Sequence, residues 1–274
     1  MSAGPAIAPR NPVEKAVHLL RWMVDDKGTE WGVREIARGM GLAPSTVHRV
    51  LTDLEAQQLV RVEANTGRYS LGLEFFRLAW TGTRRFPLRQ AAIPALQRLV
   101  EQTNETAFLG VYDPDRREMM FAAAIESAHE LRYVVTLNKW MPLYVGSSGL
   151  AILSFLPERD RSAILGRIGP PESRNSRSKS RAELNAVLAE VRRLGYARTM
   201  GERVPGAVGI SAPVFGSGGD VVADIGLSIP VQRFSEHDEG HLANYVRDAA
   251  GQVMSAIGGI VPDADSSVNS SISQ

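Results

Sequence analysis

Val33 to Leu54, VREIARGMGLAPSTVHRVLTDL, carries two short helical patterns separated by a glycine-bearing turn, and no other stretch limits the fold as tightly. In its first half Val33, Ile36, Ala37 and Met40 recur at i, i+3, i+4 and i+7, one apolar stripe of a helix with 3.6 residues per turn. Gly41 supplies the stop, because the residue just past a helix end takes a left-handed backbone most readily without a Cβ. Pro44 opens the second half, where its missing N–H would have had no partner inside the helix. Val47, Val50, Leu51 and Leu54 form the buried stripe, and the opposite face carries Ser45, Thr46, His48, Arg49 and Thr52. Hydroxyls followed by an imidazole and a guanidinium are what a recognition helix presents to a major groove. Taken alone, the pair also reads as an amphipathic helical hairpin with a solvated polar face.

The next stretch favours the first reading. In VRVEANTGRYSLG, Val60 and Val62, then Tyr69 and Leu71, alternate with polar residues on either side of Ala64-Asn65-Thr66-Gly67, which predicts a β-hairpin. A two-stranded wing directly after a recognition helix makes a winged helix-turn-helix, with Arg61 and Arg68 placed to reach phosphate. The expected partner is double-stranded DNA, met by Arg34, Ser45, Thr46, His48, Arg49, Arg61 and Arg68.

With 274 residues, 44% of them hydrophobic, the chain is long enough for two domains with their own cores. Its formal net charge of +1 argues against binding nucleic acid by bulk charge, so DNA contact has to come from a local arrangement repeated in several copies. The absence of cysteine excludes disulfides and thiolate metal sites and permits a reducing cytoplasm, the expected location. The opening MSAGPAIAPR lacks the basic start and apolar core of a signal peptide. No apolar run approaches the ~20 residues needed to cross a bilayer, so no membrane partner is expected.

In chain order, residues 1–10 read as a flexible arm and residues 11–72 as the DNA-reading domain. Asn11-Pro12-Val13-Glu14 starts a scaffold helix with an Asn cap and Pro at the first helical position, and Val13, Ala16, Val17, Leu20 and Val24 are its expected buried stripe. Residues 73–86 read as a linker helix in which Leu73, Phe76 and Trp80, widened by Phe75, Leu78 and Ala79, give more apolar surface than one small domain covers. That excess points to a second copy of the chain, a dimer or a dimer of dimers, unless the helix packs on its own second domain. Residues 87–261 alternate helices and strands. A helix is predicted over 90–102 despite Pro94, strands over 107–112, 119–124 and 131–137, and helices over 147–155 and 158–166. Residues 170–181, rich in Arg and Lys, read as a solvated loop with a second DNA contact as the alternative. A helix over 183–194, strands over 207–215 and 221–229, and a last helix capped by Ser235 and running towards Ile257 complete the set. The tail from 262 to 274 is expected to be disordered.

These pieces together resemble the IclR family of bacterial transcriptional regulators over roughly residues 11–260. NPVEKAVHLLRWM resembles the family's first helix, VREIARGMGLAPSTVHRVLTDLEAQQLV its helix-turn-helix, and TGRYSLGLEFFRLA its wing and linker helix. MPLYVGSSGLAILSFLP, GERVPGAVGISAPVF and VVADIGLSIP are similar to later stretches. The resemblance implies an α+β protein: an N-terminal winged helix joined by a linker helix to a C-terminal GAF-like α/β domain that binds a small effector. It also marks departures, with Ala43 where a hydroxyl cap is common, Tyr144 for a histidine, Leu150 for a lysine and Gly209 for a cysteine.

An enzyme is not expected. Gly146-Ser147-Ser148-Gly149 has the wrong spacing for a G-x-S-x-G nucleophile elbow, and no G-x-x-x-x-G-K-[ST] phosphate loop occurs. His237 and His241 have the helical spacing of two metal ligands, but Asp238 stands where a zincin motif needs Glu, so no metal and no cofactor are expected. The turn at Gly146 enters a helix and offers free amides to an anion, or is simply a tight turn that needs small residues for packing. The resemblance favours the former and matches Ala207, Gly209, Gly226 and Ser228 to the family's pocket-facing positions; with Ser147, Ser148 and Gly149 as donors and Tyr133, Trp140, Met141 and Tyr144 as apolar walls, these make the expected effector site. No basic side chain stands among these positions. The expected ligand is therefore a neutral or weakly anionic, aromatic molecule held by backbone amides, not a dicarboxylate in an arginine clamp.

Overall fold

The computed structural model describes residues 11–167 and 180–262 and divides the chain after Arg85 into two compact units. The first unit begins with α1, Pro12–Asp25, whose cap Asn11 accepts from the Glu14 amide at 2.8 Å. α2 (Val33–Met40) and α3 (Pro44–Ala56) follow, joined through Gly41 at φ 65°. That left-handed backbone lets the Gly41 amide close onto α2 carbonyls and turns the chain into α3. Leu19 and Met23 of α1, Ile36, Ala37 and Met40 of α2, and Val47, Val50, Leu51 and Leu54 of α3 share one core.

The stripe on α1 differs from the expected one. Ala16, Leu19, Leu20 and Met23 meet the core, while Val13 is 72% exposed and Val17 and Val24 also face outward. HLLRWMV is apolar around most of the helix circumference, so its periodicity does not fix a face, and the longer Leu and Met side chains bury more area.

The wing is β1, Val60–Val62, paired antiparallel with β2, Tyr69–Leu71. A third segment joins it: the Trp31 and Tyr69 amides each donate to the other's carbonyl at 2.8 Å, tying the entry to α2 to the wing. Trp31 is itself 2% exposed and packs edge-on to Trp22. α4, Leu73–Arg84, ends this unit and buries none of its residues.

The second unit is built on a five-stranded antiparallel sheet of order β4-β3-β7-β6-β5. Its strands are β3 (Thr106–Asp113), β4 (Glu118–Ile125), β5 (Ala197–Met200), β6 (Ala207–Phe215) and β7 (Val221–Pro230). Because side chains alternate along a strand, one set of β7 residues, Ala223, Ile225, Leu227 and Ile229, enters the core formed with α5 (Pro87–Thr103) and α9 (Glu239–Ile257). Asp224, Gly226 and Ser228 point to the other face, which carries α6 (Gly146–Phe155), α7 (Glu158–Leu165) and α8 (Arg181–Leu194). The expected α+β class is what forms.

Three expectations for this unit are corrected. Residues 131–137 are not a strand. Their apolar alternation is real, but Tyr133 and Val135 turn inward over a cavity, and the chain meets the β4 edge after this stretch, where the Asn138 amide donates to the Phe121 carbonyl at 2.9 Å and at the Met119–Met141 bridge. β5 went unpredicted, being four residues long. The last helix starts at Glu239 behind Asp238, while Ser235 receives the His237 amide at 3.2 Å in a preceding turn, so His237 and His241 are not on one helical face. The basic stretch at 170–179 lies outside the described residues.

Candidate functional site

In the first unit, α3 offers its polar face to solvent. Ser45, His48 and Arg49 are exposed, as is Arg34 on α2, while Thr46 is half-buried. Thr52 is turned back, its hydroxyl donating to the His48 carbonyl at 3.0 Å. Ala43 gives α3 no side-chain cap; Pro44 has no N–H and the Thr46 amide donates to the Ala43 carbonyl at 3.0 Å, so in this first turn it is the Ser45 amide that can meet an external acceptor such as a phosphate oxygen.

The wing arginines are placed differently from expectation. Arg68 reaches back from β2 and donates to Glu35 at 2.7 Å and to the Glu30 carbonyl at 2.8 Å, so it braces the wing against the start of α2. Arg61 is held by Glu63 at 2.8 Å and by the Ser70 hydroxyl at 3.0 Å. Both pairs are solvent-exposed and worth ~0–1 kcal/mol, weak enough for a phosphate to compete.

In the second unit, a cavity of about 250 Å³ opens between the sheet and the start of α6. Ser147 and Ser148 line it from α6, Ala207 and Gly209 from β6, and Ser228 from β7. Phe108 and Phe121, packed edge to face at 4.8 Å, form an apolar wall with Met141. Residues 133–136 cross above as a strap, pinned where the Tyr133 hydroxyl donates to the Pro205 carbonyl at 3.0 Å. Gly209 is required here, since a Cβ would fall 2.4 Å from the Ser147 hydroxyl.

Charge gathers at one side. Glu202 accepts from the Gly146 amide at 3.4 Å, and Arg203 beside it lies with its guanidinium 5.8 Å from the centre of the Phe121 ring. Arg203 donates to the Val145 carbonyl and to the Met141 sulfur, and burial pulls its proton affinity below the usual arginine range. Behind the floor, Ser147 and Ser148 approach the Ser211 hydroxyl at 3.0 and 3.4 Å. Asp224 lies deeper, wholly buried, with no hydrogen bond to either carboxylate oxygen, although Ser148 and Ser211 are close enough to favour its ionised form. Burial outweighs them and raises its pKa to about 7.

Comparison with known proteins decides what the two units are. The model of the IclR helix-turn-helix domain matches residues 12–64, and that of the bacterial transcriptional regulator IclR C-terminal domain matches residues 81–255. The chain belongs to the IclR family. It is 25% identical to the transcriptional repressor IclR of Escherichia coli over 95% of this chain and 94% of that protein. It is 31% identical to the regulator BhcR of Paracoccus denitrificans over 87% of this chain and 84% of that one. Its fold matches that of an IclR-type regulator from Alicyclobacillus acidocaldarius with a TM-score of 0.79 at 23% identity, covering 90% and 98% of the two chains. An IclR homologue from Microbacterium hydrocarbonoxydans, solved with 4-hydroxybenzoate, matches with a TM-score of 0.76 at 23% identity over 90% and 99%.

As an IclR-family protein the chain is a DNA-binding transcriptional regulator. Of the effector residues expected from the sequence, the structure brings Tyr133, Met141, Ser147, Ser148, Ala207, Gly209 and Ser228 to the cavity. Trp140, Tyr144, Gly149 and Gly226 are not among its lining. Trp140 stacks under the Arg116 guanidinium, and Tyr144 packs into the core beneath α6. Gly149 admits the Leu143 backbone, and Gly226 admits the Phe108 ring, which stands between it and the cavity. The expectation that no basic group attends the site is overturned by Arg203 and Lys139. Arg203 follows β5, in the stretch GERVPGA that leads into β6, and the shortness of β5 hid how closely that turn approaches α6.

Proposed function

We propose that this chain is a transcriptional regulator whose operator affinity is set by a small organic effector in the cavity of the second unit. The observation that carries the proposal is the cavity itself: a mostly apolar chamber with Ser147, Ser148, Thr199 and Ser228 converging on it, the usual composition of a small-molecule site. The relative holding 4-hydroxybenzoate supports the same reading. Recognition falls to Arg34, Ser45, Thr46, His48 and Arg49, with Arg61 and Arg68 of the wing on phosphate. An effector shifts operator binding only by the difference in its affinity for the DNA-competent and DNA-incompetent arrangements.

The regulator works in the cytoplasm as a dimer or a dimer of dimers. α4 supports this assembly: Leu73 is 75% and Trp80 65% exposed, and Trp80 continues an aromatic ladder from the half-buried Phe75 through Phe76. The proposed function needs no enzymatic role, and the relatives that the chain matches are named transcriptional regulators. A thermal-shift screen of small organic acids, followed by gel shifts on the chain's own promoter region, tests the function. Ser148→Leu fills the cavity floor and abolishes the effector response while operator binding without effector persists. Unchanged calorimetric affinity of a screened effector for that variant would place the effector elsewhere.

A further inference from the structure

The Arg203 guanidinium lines the cavity while buried enough to lose much of its hydration. A cation in that position is normally paired, because desolvation without a counter-charge is costly. Among the described residues no carboxylate comes within ion-pair distance of it; it donates to the Val145 carbonyl and to the Met141 thioether, a weak acceptor. Asp224 and Glu202 act on it only through their charge at longer range. The guanidinium thus faces a chamber containing hydroxyls and aromatic carbon, with donor capacity unspent.

We infer that Arg203 is the specificity-determining residue of the effector site, and that the effector is a monocarboxylate whose acid group pairs with Arg203 and whose apolar body lies against Phe108 and Phe121. This rests on the cavity being the effector site. An arginine–carboxylate pair supplies two parallel charge-assisted hydrogen bonds, which fixes orientation as well as sign. The volume, about 250 Å³, exceeds the ~150 Å³ apolar cavity that admits benzene, so a substituted ring or a branched chain of similar bulk fits. Glu202, immediately beside Arg203 at the Gly146 amide, places negative charge at the same wall and disfavours a second carboxylate there, and Lys139, the other basic side chain of the lining, is solvent-exposed, so its charge is screened.

The test uses the full-length protein and matched probes: benzoate, 4-hydroxybenzoate and phenylacetate, each with its primary amide, and terephthalate as the dicarboxylate. Titration calorimetry is run on the parent, Arg203→Gln, Arg203→Lys and Ser148→Leu. The expected result is that at least one monocarboxylate binds the parent about tenfold or more tightly than its amide and than terephthalate. Arg203→Gln is expected to bring acid and amide to parity, while Arg203→Lys keeps part of the preference. Since Arg203→Lys retains both bulk and charge, a misfolded Arg203→Gln would not hide the outcome: equal acid preference in parent and Arg203→Lys, with no bidentate geometry left to lose, refutes the pairing. Amides that bind the parent as well as acids overturn the inference. Acid preference that survives Arg203→Gln but is lost in Ser148→Leu overturns the role of Arg203 and leaves the cavity as the site. Binding indifferent to both positions, or no binding by any probe, overturns both.

Discussion

Replacing Asp224 by asparagine should change how the stability of this protein depends on pH. The carboxylate is buried on β7 with no hydrogen bond, and its pKa rises from 3.8 to about 7, chiefly because burial disfavours the charge. A group whose folded pKa is raised binds its proton more tightly in the native state, so stability falls as pH increases. The loss begins as unfolded-chain aspartates ionise, near 3.8, and levels off once the native group has also ionised, above about 7. At 1.36 kcal/mol per pKa unit, the full difference amounts to at most about 4 kcal/mol. Asp224→Asn keeps the shape, leaves the Ser148 and Ser211 hydroxyls as neighbours and removes the titration. Urea unfolding of parent and variant at matched protein concentration, at pH about 5 and about 8, gives the comparison. Between the two pH values the parent is expected to lose about 3 kcal/mol more stability than the variant, because about two pKa units of the window, from about 5 to about 7, lie between them. Parallel stability curves across that range would refute the reasoning, for they would mean that Asp224 ionises in the folded protein as freely as in the unfolded chain.

Arg49→Ala is expected to cost specific operator affinity ~1–3 kcal/mol, the usual size of a lost base contact, whereas Arg68→Ala weakens all sequences alike; gel shifts against specific and scrambled duplexes separate the two. Phe76→Ser combined with Trp80→Ser removes the exposed aromatic ladder of α4, and light scattering is expected to show smaller particles than the parent at equal concentration. Gly226→Ala places a methyl 2.5 Å from the Phe108 ring and 2.4 Å from the Ser211 hydroxyl, and a lower melting temperature, corresponding to roughly 1–3 kcal/mol of overpacking, is the expected reading.

Elements whose instructions are local were legible. The turn at Gly41, the proline opening α3, the Asn11 cap and the alternation in β6 and β7 each depend on a few neighbouring residues, and each appears where its pattern places it. Features set by distant parts of the chain were not. Val13 and Leu19 are both apolar residues on one helix, and only packing against α2 and α3 decides which is buried. Alternation over residues 131–137 signalled that one side would be covered, but not that a cavity, instead of a strand ladder, would lie beneath it. Arg203 illustrates the same limit for the site: its sequence neighbourhood describes a turn, and its meaning arises from Phe121, Met141 and Val145, which are remote in sequence. Arg68 fits the wing as a surface arginine, yet Glu35 and the Glu30 carbonyl claim it.

The bridge between Trp31 and Tyr69 bears on how an operator is chosen. Two backbone hydrogen bonds, a buried indole and the Arg68 brace join the entry of α2 to the wing, so the wing cannot swing independently of the helices. A duplex that touches both must meet a fixed spacing. The adjustment then falls on the DNA, whose grooves widen and bend at a cost that depends on base steps the protein never contacts. Discrimination among operators would thus include the deformability of the sequence between the contacted positions, and changes there would alter affinity with every side-chain contact intact.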